Sequence, residues 1–467
     1  MEAARRVLIV STDLPPGRSS GVWRITAFVK YLPQFGWEPY VLTRLPSPYD
    51  TPGSAAVGTD IPGARAVIRT AYFDVRLAGK KLALRAAGKA VPGLASGVAG
   101  QPIGRGHFSR ALWALARTFV FVPDAEIGWY PWALGPGLAL IRRAGITTIF
   151  SSAPPLTPHL VACRLKRVTR LPWVADFSDP WSQHPDRWLS GLEQLRKPLD
   201  RFLERRIMTR ADVVVADSQP RAQGFTRLRV KSMARKLRVI TNGFDPGNLC
   251  DVTRRAPTKF TITYTGTFVS GAWTPEPVFA GLRDLISEGA VSRSMVAIRM
   301  IEGYRGPSKE LAQRYGLSDL VTVRVGVPHE EALREQMNSS VLLFVMRNDA
   351  GARGIYTGKL FEYLGARRPI LAIGPRAGVA MDLIREANAG LVVDPRAPSE
   401  LKGAVLSYYL EHARTGDVAY RGDESVVRRY EAPALAKQLA AVLDSAVSQD
   451  PRTTSFSPPC SKQRNIV

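Results

Sequence analysis

Three cysteines, Cys163, Cys250 and Cys460, are scattered over 467 residues. They are too few and too far apart for a disulfide framework or a thiolate metal site, which fits a reducing compartment. The five histidines do not cluster with them at ligand spacing and no Asp-x-Asp pair occurs, so neither a metal nor a cofactor is expected. A phosphate loop ending in Gly-Lys-Ser/Thr is missing. No run approaches about 18 uninterrupted apolar residues, because Arg117 breaks one candidate and Arg142-Arg143 close another, and no spanning helix is expected. The start, MEAARRVLIVS, has too short an apolar run for a secretory signal. The expected location is the cytoplasm.

Negative charge is also scarce. The chain has 64 Lys and Arg against 40 Asp and Glu, a formal charge of +24, so its field attracts anions: nucleotides, acidic headgroups or nucleic acid. No acidic residue stands between Asp74 and Asp124, where Arg76, Lys80, Lys81, Arg85, Lys89, Arg105, Arg110 and Arg117 alternate with Leu, Ala, Trp113, Phe119 and Phe121. Two readings of this insertion, residues 76–120, stay open. It is either a segment that associates with an anionic membrane surface, placing the protein at the inner face of the plasma membrane, or a solvated Gly/Ala-rich insertion. A basic recognition helix or aromatic RNA platform is lacking, so no specific nucleic acid is expected.

What is present is an alternation of short apolar runs and helical patterns, the mark of an α/β fold with mostly parallel sheets. Strands are predicted at Val7–Ser11, Glu38–Thr43, Thr147–Ser151, Trp173–Asp176, Asp212–Ala216 and Leu237–Ile240. Helices are predicted at Gly21–Phe35 and Leu189–Arg210. The turn-rich stretch Thr241–Asn248 breaks the pattern, and strands resume at Phe260–Thr265, Met295–Ile301, Val321–Val325, Val341–Val345, Pro369–Ile373 and Leu391–Val393. The boundaries expected are 1–241, 242–430, a terminal helix over 431–447 and a disordered tail over 448–467.

Candidate site residues follow from the strand ends, where open α/β sheets bind ligands. The segment RGIYTGKLFEYLGARRPILAIG, from Arg353 to Gly374, sets Thr357, Gly358 and Lys359 at a helix start, with Glu362 on the same face. That suits a diphosphate held by N–H groups and an ammonium, and sugar hydroxyls held by a carboxylate; an ordinary solvated Lys-Glu pair fits the spacing equally. Arg347, Asn348 and Arg353 precede it, and Gly266 and Thr267 end the strand at Phe260–Thr265 in a small-residue turn. In the first half, Gly17, Ser20 and Gly21 open a helix, a place for phosphate or acceptor. His159, Asp176 and Asp179 are expected at loop positions after strands, as catalytic candidates.

These residues resemble a known family. The loop and helix at Pro15–Trp23, VADFSDPW at Val174–Trp181, ADVVVADSQ with VITNGFD over Ala211–Asp245, and KLFEYLGARRPILAIG at Lys359–Gly374 are similar to those of GT-B glycosyltransferases, close to glycosyltransferase family 4 of the bacterial surface-polysaccharide type. The resemblance implies two facing Rossmann-like domains with a cleft between them. It implies a nucleotide-sugar donor held by the second domain, with Glu362 on the ribose and Thr357–Lys359 on the diphosphate, and a lipid-linked or saccharide acceptor on the first. Metal-independent transfer with retention, in polysaccharide biosynthesis, would follow. Two departures stand out: Gly354 replaces the glutamate usual eight residues before Glu362, and Gly266-Thr267-Phe268 replaces a segment that often carries Arg and Lys. The alternatives are a nucleotide-sugar epimerase on the same fold, a basic nucleic-acid-binding protein or a non-catalytic scaffold.

Overall fold

The computed structural model describes residues 5–17, 20–46, 61–74, 121–179, 181–182, 191–250, 253–268, 274–303, 306–348 and 350–448. The basic insertion 76–120 and the tail after 448 lie outside the described residues. The chain divides into two compact units, one of Met1–Ile240 with Ala436–Val467, the other of Thr241–Leu435. Each is built round one parallel sheet.

The first sheet contains β1 (Arg5–Val10), β2 (Trp37–Arg44), β3 (Ala66–Thr70), β4 (Thr148–Ala153), β5 (Trp173–Phe177), β6 (Val213–Ala216) and β7 (Leu237–Val239), in the order β3-β2-β1-β4-β5-β6-β7. The second contains β8 (Phe260–Gly266), β9 (Val296–Glu302), β10 (Val321–Val325), β11 (Val341–Val345), β12 (Ile370–Ile373) and β13 (Gly390–Val393), in the order β10-β9-β8-β11-β12-β13. Two parallel-sheet, Rossmann-like domains are what the alternation predicted. Central strands such as β4, β5, β6 and β11 are buried at every position, as sheets covered on both faces require, whereas the edge strand β10 is half-exposed.

The helices used below are α1 (Ser20–Tyr31), α2 (Tyr130–Ala144), α3 (Thr157–Thr169), α4 (Gly191–Arg210), α5 (Gln219–Thr226), α6 (Glu276–Ser287), α7 (His329–Met337), α8 (Gly358–Ala366), α9 (Pro398–Thr415) and α10 (Ala432–Ser448). The helix predicted over Gly21–Phe35 changes to a 3-10 turn at Leu32, where Pro33 cannot donate to the α ladder. Strand β3 was not foreseen. The last part of α10 belongs to the first unit, where Trp37 Nε1 donates to Asp444 at 3.0 Å.

In both sheets the chain builds outward from the first strand on one side, then returns to build on the other. That switch lies between β1 and β4, and again between β8 and β11. Helices diverge at such a switch and leave a crevice at the carboxyl ends of the strands.

Leu343, buried in the middle of β11, belongs to the second core. Leu343→Ala is expected to lower unfolding stability by about 2–5 kcal/mol, measured by urea denaturation.

Candidate functional site

In the second unit the switch point collects most of the residues singled out in the sequence. Helix α8 follows the β11 loop, with Thr357 as its N-cap in extended conformation. The Thr357 hydroxyl is buried without a hydrogen-bond partner. From the first turn Lys359 reaches back to the end of β8. Its Nζ donates to the Tyr264 hydroxyl at 2.7 Å and lies 4.2 Å from the Tyr264 ring centroid. Tyr264 is fixed in turn: its hydroxyl donates to the Thr267 carbonyl at 3.2 Å, and its ring stacks on Phe268 at 4.1 Å.

Gly266 makes this possible. A Cβ there would stand 2.8 Å from Lys359 Nζ and 3.0 Å from its Cε, and the backbone has a φ of +133°. The ammonium therefore sits over the turn after β8, the place where Gly266-Thr267-Phe268 offers no base of its own. Burial brings the Lys359 ammonium down to about 7, an effect that the Glu362 charge partly opposes. Burial also keeps the Tyr264 hydroxyl well above its ordinary range, hence protonated.

Glu362, a quarter exposed, is held from α7. Gln336 Nε2 donates to Glu362 Oε2 at 3.1 Å and to Thr265 Oγ1 at 2.9 Å, and His329 Nε2 stands 3.9 Å from Glu362 Oε1. Sequence reasoning missed Gln336 and His329. Their spacing of seven puts both on one face of α7, the only signal available without the fold. Arg347 is half-buried after β11, and Arg353 is exposed in the 3-10 turn Ala350–Gly354. Asn348 is drawn off to β13, where its amide donates to Asp394 Oδ1 at 3.3 Å.

The first unit corrects three expectations. His159 is not on a loop: it lies fully buried in α3, Nδ1 2.8 Å from Ser151 Oγ and its ring against Phe177, and burial lowers it to about 3. It is a neutral packing residue. Asp176 lies inside β5, fully buried, with Arg24 donating to Oδ1 at 2.8 Å and to Oδ2 at 2.9 Å, and Ser152 Oγ donating to Oδ2 at 2.8 Å. Both its oxygens are engaged, so it is poorly placed to take a proton. The third correction concerns the loop before α1: Asp13 Oδ2 lies 1.9 Å from where a Cβ on Gly21 would stand, so the helix start already faces a carboxylate. Gly21 thus offers less to a phosphate than the composition of the loop suggested.

Asp179 is different: its side chain is 47% exposed, with Oδ1 3.2 Å from Arg221 Nη2. Arg221 also pairs with Asp217 at the end of β6, a buried carboxyl pushed up to about 7 by desolvation. Asp217 was quoted within ADVVVADSQ but not singled out as a site residue.

Residues 21–248 match the family described as Glycosyltransferase Family 4. The chain is a glycosyltransferase with a family 4 domain. The GT-B fold of this glycosyltransferase is also that of solved structures covering nearly all of it. Sucrose-phosphate synthase from Thermosynechococcus elongatus superposes with a TM-score of 0.62 at 16% identity, over 95% of this chain and 99% of that one. HepE of Anabaena, in complex with UDP, gives 0.56 at 13% identity, over 94% and 100%. The lipopolysaccharide outer core galactosyltransferase WaaB, in its apo form, gives 0.51 at 11%, over 94% and 99%. Likeness at these identities bears on the fold. No curated protein matches the sequence.

Two predictions follow from this geometry in the glycosyltransferase. Arg24→Met strands the buried Asp176 charge and is expected to cost about 3–5 kcal/mol in urea unfolding, much of it recovered in the double variant Arg24→Met/Asp176→Leu. Lys359 titrates near 7 when folded against 10.5 when unfolded, so between those values the unfolded chain binds more protons. Stability of the unliganded protein should therefore gain from this group as pH rises from about 7 to about 10. Lys359→Met should flatten that rise in denaturation curves taken at several pH values.

Proposed function

We infer that this glycosyltransferase binds a nucleoside-diphosphate sugar at the β8/β11 switch point and moves the sugar to an acceptor hydroxyl. The observation that carries the reading is the Lys359 ammonium poised over Gly266, one helical turn from the Glu362 carboxylate. The diphosphate lies across the start of α8, where the N–H groups of Gly358 and Lys359, the orphaned Thr357 hydroxyl and the ammonium meet its oxygens. Gly266 and Thr267 let backbone approach it, and Arg347 and Arg353 on the preceding loop add charge. Glu362, already oriented by Gln336, accepts the ribose hydroxyls. The UDP of the HepE complex supports a nucleotide donor of this kind.

Transfer proceeds through an oxocarbenium-like state in which the departing diphosphate gains charge. Lys359 stabilises that charge, and its lowered proton affinity makes anion binding pull a proton onto it. The chemistry is metal-independent in this account, and retention is carried over from the family resemblance. On the first unit, Asp179 is the carboxylate exposed enough to orient an acceptor hydroxyl, and Arg221 holds it in place. The acceptor is a lipid-linked or surface-polysaccharide precursor, which would place the enzyme at the inner face of the plasma membrane.

Thermal shift against UDP, GDP, ADP and their sugars is the test. At least one is expected to raise the melting temperature, and stabilisation by none would contradict the reading. Glu362→Ala should weaken the nucleotide that binds by about 10- to 100-fold in calorimetric titration, as loss of a charged hydrogen-bond acceptor implies. Unchanged affinity would reject the ribose role.

A further inference from the structure

Helix α4 is turned the wrong way round for a surface helix. Arg196, Asp200 and Glu204, spaced i, i+4 and i+8, are buried on its inner face. Arg196 Nε donates to Asp200 Oδ2 at 2.8 Å, Trp181 Nε1 donates to Asp200 Oδ1 at 2.8 Å, and Ser182 N donates to Glu204 Oε2 at 3.2 Å. The outer face carries Leu195, Leu199 and Phe202, exposed by 67%, 44% and 57%. Their spacing of i, i+4 and i+7 makes them one stripe. An inward polar network and an outward apolar stripe are the reverse of what water selects.

Among the described residues from 194 to 236, the exposed charges beside the stripe are basic. An open groove of about 520 Å³ beside Phe202 is lined by Pro198, Arg201, Arg205, Arg227 and Arg229, among others. Lys197, Arg201, Arg205, Arg206, Arg227 and Arg229 are exposed, while no Asp or Glu between residues 194 and 236 is: Asp200, Glu204 and Asp217 are buried, and Asp212 is half-buried against Lys166.

We propose that this face of α4 docks on the surface of an anionic phospholipid bilayer. Leu195, Leu199 and Phe202 enter the boundary between headgroups and acyl chains, and the surrounding arginines meet lipid phosphates, two oxygens of which a planar guanidinium fork can engage at once. Charge complementarity selects the occupant: a neutral or acidic protein surface would meet the arginines or the stripe, but an acidic membrane meets both. The inference does not depend on the donor site and stands or falls separately from nucleotide binding.

The test is flotation of the full chain, insertion included, with vesicles of phosphatidylcholine alone and of phosphatidylcholine with 30% phosphatidylglycerol. Wild type is expected to float with the anionic vesicles only. Leu199→Ser/Phe202→Ser and, separately, Arg201→Glu/Arg205→Glu should each lower partitioning at least about tenfold, with nucleotide-induced thermal shifts unchanged. Should the serine variant fold poorly, the arginine variant together with Leu195→Ser decides. Undiminished flotation of these variants overturns the proposal. So does loss in the arginine variant alone with equal loss of binding to a DNA duplex, which would mark an unspecific field rather than a membrane face.

Discussion

Everything at the candidate donor site depends on how a doubly wound parallel sheet must connect. Right-handed crossovers put successive helices on one face while strands are added to one side of β8, and on the other face once the chain returns to add β11. Between β8 and β11 the helices diverge at the strand ends. Gly266 at the end of β8 leaves room there, Lys359 from α8 fills it with an ammonium, and Tyr264, wedged against Phe268, holds that ammonium ready. Burial makes the charged form costly there, which lowers the proton affinity of Lys359 against the opposing pull of Glu362.

The first unit repeats the topology with different contents. At its strand ends the charges are already matched within the fold: Arg24 with Asp176, Arg221 with Asp179 and Asp217, and the Asp13 carboxylate against the start of α1. One sheet thus presents a buried ammonium held on the Tyr264 hydroxyl, and the other presents charges paired within the fold, with Asp179 half-exposed among them. In the proposed reading, the same backbone geometry serves an anion in the second unit and an acceptor hydroxyl in the first.

Much of this was legible in the sequence, for physical reasons. Buried parallel strands are continuous apolar runs, so VLLFV and VVVA declared themselves, while β3, half-exposed and carrying Arg69, did not. The grouping of Thr357, Gly358, Lys359 and Glu362 was local to one helix turn and visible from spacing. What could not be read were the long-range partners: Tyr264 lies 95 residues from Lys359, and Gln336 lies 26 residues from Glu362. His159 was misplaced for a similar reason. Its helix begins at Thr157 because the carboxylate of Asp124, 33 residues earlier, accepts from Thr157 N at 2.9 Å and from its hydroxyl at 2.7 Å, a cap no local pattern reveals. Asp176 looked available because a strand end looks open until Arg24 is seen to cover it.

The central claim is the location of the nucleotide at the β8/β11 crevice. Hydrogen–deuterium exchange of the full chain, with and without saturating UDP, GDP or ADP, tests it most directly. The account predicts that the nucleotide that binds slows exchange in peptides spanning residues 262–268 and 355–364, with little change over residues 7–24. Protection confined to the first unit, or binding without any slowing at 355–364, would contradict it.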